Sequence, residues 1–419
     1  MNVSLIIRLG VMMFVQYAIW GAWAPTLGNY MNTIGIGGDL ITTAYSLGPI
    51  SAIIAPFFLG MVADRFFDSE KVLGVLCILA GVAMMAMPSF TDSPTLFLGL
   101  LFLHALCYMP TLGLTASLSF HHLSNQEKEF PIVRVFGTAG WVVIGWVIGG
   151  MLKADASAMP LFIGGGISVF LGLYSFTLPN TPPPMAGRKT SMREILGVDA
   201  FRALKSRSFV VFLLASMLIF IAFGTYFPFA PQYLSEMNKL NPAHFAQPSF
   251  EMSFGQFSEI FFMLLIPLLF VRLGVKWMLV LGMLAWVARF TLFASAAGTG
   301  AFWMIMIGIA IHGICYDFFF VTGQIYIEKK TPPEMRGQIQ SLLVLLTQGV
   351  GFFLGTQLSG AFFSNRAYSE TVDGADVFRL LPEDWAVFWW VFAGCTTVFT
   401  VIFFVLFNDK VEEKETTTV

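Results

Sequence analysis

The sequence predicts an all-α membrane protein of twelve transmembrane helices in two six-helix halves, and three observations carry that prediction. Of 419 residues, 57% are hydrophobic and only 11% are charged, with mean hydropathy +0.76; soluble domains carry about 25% charged residues. Apolar segments of spanning length fall at 5–29, 40–63, 71–89, 94–120, 131–152, 157–178, 208–234, 251–271, 276–297, 300–327, 337–363 and 384–407. The chain also repeats itself. His104-Ala105-Leu106-Cys107-Tyr108 in the fourth segment matches His312-Gly313-Ile314-Cys315-Tyr316 in the tenth, at an offset of 208, and Pro131-Ile132-Val133-Arg134 answers Pro333-Glu334-Met335-Arg336. Parallel halves with a site between them at mid-membrane are a transporter plan.

In chain order, the first segment continues past Trp20 and Trp23 at spanning length, so it is expected to remain as a helix and not to be a cleaved signal. The expected halves are 1–178 and 208–408, joined by 179–207 and followed by a tail, 409–419. The linker opens with Pro179 and Pro182-Pro183-Pro184 and then carries six Lys or Arg residues. Within it Ile195, Val198, Phe201 and Leu204 recur at helical spacing, which predicts a short helix on the membrane surface. With the N-terminus inside, the inner segments hold 18 Lys and Arg against 4 outside, which predicts both termini in the cytoplasm. A net charge of −2 without a basic run gives no case for nucleic acid. The four cysteines lie in apolar segments without paired metal-site spacing, so packing is expected of them and neither metal nor cofactor is.

The polar residues inside the spans are the candidates for chemistry. Asp317 follows an uncharged run, Ala301 to Ile311, and sits deep in the tenth span. A carboxylate there costs roughly 3 kcal/mol, so it faces protein or a water-filled cavity. A functional site is the first reading; a carboxylate that only ties two helices is the second. Arg134, Thr138 and Trp141, spaced by four and seven, share one helical face. Gln256 and Glu259 share another, with Glu259 about 12 Å into its span. A guanidinium, two carboxyls, a carboxamide and aromatic faces suit a ligand with hydroxyls and a flat ring. Two readings of Arg134 stay open at this level: a pocket residue, or an anchor that snorkels to the headgroups. His104 and His312 are open between helix packing and function, Arg289 is expected to be a partnered structural charge, and Phe318 to Phe320 are expected to pack or to face lipid.

Gly60-Met61-Val62-Ala63-Asp64-Arg65 after the second span resembles the G-x-x-x-D-R signature of the major facilitator superfamily. That resemblance implies inner-gate roles for Gly60, Asp64 and Arg65. QYAIWGAW from Gln16, FPIVRVFGTAGW from Phe130, GVDAF from Gly197, QFSEIFFMLLIP from Gln256 and YDFFFVTGQIYIEKK from Tyr316 resemble the bacterial nucleoside:proton symporters over nearly the whole chain. The resemblance implies proton-coupled import of a nucleoside across the inner membrane by alternating access, by a monomer in the lipid bilayer. It also implies a pocket lined by Arg134, Thr138, Trp141, Gln256, Glu259, Tyr316 and Asp317. Burial raises a carboxyl's proton affinity and a neighbouring cation such as Arg134 lowers it, so Glu259 and Asp317 are the two candidates for the coupled proton.

Two departures bear on substrate. Gly224 and Phe227 stand in the seventh span where family members carry amides, and His312 stands where some have tyrosine. A proton-coupled sugar or polyol carrier is therefore the alternative within transport. An enzyme is expected to show a cluster of His, Cys or acids at ligand or nucleophile spacing, and a receptor an appended soluble domain. Neither pattern is present in the sequence.

Overall fold

The computed structural model describes residues 3–124, 126–183, 206–242, 247–331, 336–372 and 375–408; the side chains of 55–66, 126–128, 131, 336–338 and 341 also fall outside the description. The predicted surface helix of the linker and the tail 409–419 lie outside the described residues.

Helix α1, Val3–Trp23, breaks at Ala24-Pro25, because proline has no N–H and disfavours helix in the residue before it. A second piece, Leu27–Thr33, completes that span. Then follow α2 (Asp39–Phe66), α3 (Ser69–Ala86), α4 (Pro94–His122), α5 (Gln126–Gly145), α6 (Met159–Ser175) and α7 (Arg207–Leu240). The continuous stretch Pro248–Ala296 contains two spans, α8 over 248–273 and α9 over 275–296. They part at Gly274, where φ is +70° and ψ 170°, a conformation open to glycine and closed to most other residues. Helix α10 runs in pieces from Phe302 to Lys330, α11 from Arg336 to Arg366, and α12 spans Pro382–Leu406. Among the described residues these make twelve helical segments, at the places the apolar segments predict.

Three features were not predicted. Helix α5 is extended beyond Gly145 by a π-helical stretch, Trp146–Leu152, and α10 and α11 contain wide π turns at Asp317–Val321 and Leu345–Gly351. Helix α10 also breaks at Ile311, where ψ is 7°. Between α11 and α12, β1 (Tyr368–Val372) pairs antiparallel with β2 (Ala375–Arg379), so the chain is helical except for this one hairpin among the described residues. Tyr368, Thr371 and Val377 give that loop enough strand-forming side chains to fold on itself.

Packing relies on small residues and large aromatics. A Cβ on Gly140 of α5 would collide with the Phe14 backbone of α1, so these helices touch backbone to backbone. In the other half Trp286, Trp385, Trp389, Tyr226 and Tyr233 are fully buried. Leu264, Val271 and Val405 are 72%, 70% and 70% exposed, an apolar outer surface of the kind that faces a bilayer. Phe318 and Phe319 are buried, and the half-buried Phe320 lies tilted against Tyr316 at 5.1 Å, so the triplet packs against its neighbours, as expected of it. Arg289 is fully buried. Its Nε donates to the Gly308 carbonyl at 2.8 Å, and its guanidinium lies 4.3 Å from the Tyr226 ring and 4.7 Å from that of Trp286. Its partners are thus a carbonyl and two ring faces.

Candidate functional site

Helices α1, α5, α8 and α10 bring the predicted polar residues to one place between the halves. On α5, Arg134 lies over the Tyr17 ring of α1, 4.1 Å from its centroid. Gly137 makes that possible, because a Cβ there would stand 2.7 Å from the Tyr17 ring and 2.9 Å from Arg134 Nη1. One turn along α5, Thr138 Oγ1 donates to Glu259 Oε1 of α8 at 3.2 Å, a direct bond from one half to the other. The common face inferred from the spacing of Arg134 and Thr138 is thus the face turned to α8.

Asp317 reaches the same cluster through the path of α10. At Gly313 the helix runs against α8 so closely that a Cβ would lie 2.7 Å from the Ser258 carbonyl oxygen and 2.9 Å from the Glu259 Cα. The break at Ile311 accompanies this contact, and the Gly313 N–H donates to Ser258 Oγ at 3.1 Å. Asp317, four residues on and at the start of the π turn, shares that face. It is fully buried, and neither of its oxygens accepts a hydrogen bond from a described residue. Arg134, Glu259, Tyr316 and Asp317 all lie within electrostatic reach of one another. Nη1 of Arg134 is likewise buried without a bond among the described residues. One cation therefore faces two carboxyls in a buried interior.

Aromatic rings wall the cluster. Trp141 meets Trp20 edge-on at 5.8 Å and Phe227 at 5.7 Å, and Tyr316 lies 6.0 Å from His312 and 6.1 Å from Phe223. Gln256 is half-buried one turn before Glu259. The fully buried Gln16 donates its Nε2 to Thr111 Oγ1 at 2.7 Å, and its main-chain carbonyl accepts from Tyr108 Oη at 2.7 Å. The structure brings Arg134, Thr138, Glu259, Tyr316 and Asp317 together, with Trp141 among the surrounding rings and Gln256 one turn along α8, and adds Tyr17, Phe223 and Thr111, which the sequence pattern does not single out. Tyr17 adjoins Gln16 in a quoted motif, yet nothing in its spacing announces a partner on α5. Gly60, Asp64 and Arg65 lie at the end of α2, and their side chains fall outside the described residues.

On the hairpin side the two halves are closed against each other. Asn32 Nδ2 donates to the Phe378 carbonyl at 3.0 Å, and the Phe378 N–H donates to Asn32 Oδ1 at 3.0 Å. Gln357 Nε2 donates to Ser46 Oγ at 2.7 Å, and Ser364 to Asp39. Asp155, in the turn after α5, accepts from Ser249 N at 2.7 Å and from Ser249 Oγ at 2.5 Å. Burial pushes the Asp155 carboxyl above the usual carboxylate range, while the two Ser249 bonds pull it the other way. Beneath these contacts lies a cavity of about 40 Å³, lined by Trp20, Tyr45, Met109, Phe227 and Phe352 among others. Ligand pockets begin at roughly 300 Å³. A larger cavity of about 280 Å³ between α1, α5 and α6 is lined by apolar residues such as Phe14, Val143 and Phe170 and by none of the cluster.

Comparison with known proteins agrees with the motifs. The sequence model described as Nucleoside H+ symporter matches residues 1–412. The chain is 36% identical to the putative nucleoside transporter YegT of Escherichia coli K12 over 415 residues, 97% of this chain and 94% of that protein. It is 34% identical to the xanthosine permease of the same organism, over 96% of this chain and 95% of that one. The crystal structure of the nucleoside transporter NupG superposes with a TM-score of 0.81 at 29% identity, covering 98% of this chain and all of that one. The chain belongs to the nucleoside H+ symporter family.

Proposed function

We propose that this protein imports a nucleoside together with a proton by alternating access between its two halves. The observation that carries the reading is the cluster that straddles them: Thr138 bonded to Glu259, with Arg134 and Asp317 alongside. With both carboxyls ionised the cluster holds a net negative charge. Binding one proton neutralises it, and a neutral cluster is cheaper to bury than a charged one. Glu259 and Asp317 are the proton carriers in this reading. A nucleoside entering from the open side offers ribose hydroxyls to Arg134, Thr138 and Gln256 and stacks its base against Tyr316 or Trp141.

The protein is a multi-pass membrane protein with transporters, not enzymes, for relatives. We infer further that both termini are cytoplasmic in the inner membrane, which makes the hairpin side periplasmic. In this reading 1–178 and 208–408 move about the linker 179–207, Gly60, Asp64 and Arg65 serve the inner gate, and a monomer suffices. Uptake of labelled nucleosides and sugars into proteoliposomes, with and without a pH gradient, tests it. The expected result is nucleoside accumulation that requires the gradient. Accumulation of a sugar or polyol with no nucleoside uptake, a result that Phe227 on α7, set against Trp20 and Trp141, would then explain, replaces this substrate class by the alternative. Gly224 packs against the α11 backbone at Phe352 and offers no side chain to a ligand.

A further inference from the structure

We propose that Asp155 is a gating residue: held by the α5–α6 turn of one half, it clasps the first turn of α8 in the other half and keeps the outer face closed. This rests on the alternating-access reading above. The first N–H groups of any helix lack partners within it and are normally met by the side chain of the residue before the helix. Here Gln247 occupies that place and makes no such bond, and Pro248 has no N–H to offer. The acceptor for Ser249 N comes instead from Asp155, across the interface between the halves, and the same carboxylate takes the Ser249 hydroxyl. A negative charge at a helix N-terminus gains further from the helix dipole.

The end of α5 is shaped for this contact. Its last stretch, Trp146–Leu152, is wound as π-helix and stops at Lys153, whose φ of 51° and ψ of 44° turn the chain so that Asp155 becomes buried against α8. Gly145 lets α8 come near, since a Cβ there would lie 2.8 Å from the Ser249 carbonyl oxygen. For the site to open towards the hairpin side, α5 and α8 must part and both bonds must break. The clasp therefore sets how much of the protein rests closed on that side. Two hydrogen bonds to a carboxylate, each replaced by water when the face opens, shift that ratio by about 10- to 100-fold.

The test uses full-length protein in lipid nanodiscs without substrate, carrying Cys395→Ser and spin labels at Asp92→Cys and Thr299→Cys. These exposed sites lie on the α3–α4 and α9–α10 turns, one in each half, while Cys77, Cys107 and Cys315 are buried. The parent should show mainly the shorter distance. Asp155→Ala should add a longer-distance population, Ser249→Ala a smaller one, and the double substitution no more than Asp155→Ala alone, because one clasp is lost only once. Unchanged distances in both single variants, or effects that add, overturn the proposal. If Asp155→Ala fails to fold, Ser249→Ala decides alone, since it keeps the backbone bond. Absence of nucleoside uptake by the parent would count against the function reading and leave this measurement standing.

Discussion

His104 to Tyr108 and His312 to Tyr316 are near-copies in the two halves, and the structure gives them different surroundings. In α4 the helix runs unbroken through the copy and on past Pro110, and His104 Nδ1 meets the Ala80 carbonyl at 3.0 Å while its ring stacks on Tyr108 at 5.5 Å. In α10 the helix breaks just before His312, whose Nδ1 has no bond among the described residues and whose ring lies 6.0 Å from those of both Tyr226 and Tyr316. The next residue after the second copy is Asp317; after the first it is Met109. Duplication thus accounts for the shared scaffold. The chemistry is divided unequally, with the cation Arg134 from α5 and both carboxyls from α8 and α10.

If that division matters, the largest effect falls on the carboxyls. Asp317→Asn should lose gradient-driven accumulation altogether while the purified protein keeps its helical circular dichroism, and accumulation like the parent's would deny Asp317 a coupling role. Next, Arg134→Gln removes a charge-assisted donor worth about 1.5–3 kcal/mol, so nucleoside binding measured by calorimetry should weaken roughly 10- to 150-fold. The copied histidines separate by observable. His104→Ala should lower unfolding stability by about 1 kcal/mol through its lost bond and leave affinity within about twofold. His312→Ala should do the reverse, changing affinity more than stability; equal behaviour of the pair would erase the contrast drawn here.

The smallest effect concerns Asp155. Burial gives its carboxyl a higher proton affinity in the closed face than in water, so acid favours closure and raising the pH through the raised value favours opening. The charged residues nearest to it in sequence and across the contact are the exposed Lys153 on its own turn and Glu251 on α8. Between about pH 5 and about pH 8 the longer-distance population should rise less than tenfold. Asp155→Asn, which bonds Ser249 without titrating, should remove the dependence.

Much of this could be read from residues. Apolar length gives every span, and the spacing of Arg134 with Thr138 and of Gln256 with Glu259 gives the faces that meet. The Tyr17 ring under Arg134, the Asp155 clasp and the ring partners of Arg289 could not be read, because each joins residues far apart in sequence through a packing geometry with no local pattern. The break at Ile311 and the π turn at Asp317 carry neither proline nor a glycine at positive φ to announce them, and the tight approach of α10 to α8 at Gly313 accompanies both. The hairpin was missed for a different reason: its ten paired residues lie in a connection short of any core signal.

The central claim is that the cluster between the halves couples a proton to a nucleoside. Its most direct test is proton movement driven by substrate: proteoliposomes holding a pH-sensitive dye, no imposed gradient, and nucleoside added outside. The account predicts that the lumen acidifies with the parent and does not with Asp317→Asn or Glu259→Gln. A silent parent, or acidification unchanged in both variants, would contradict it.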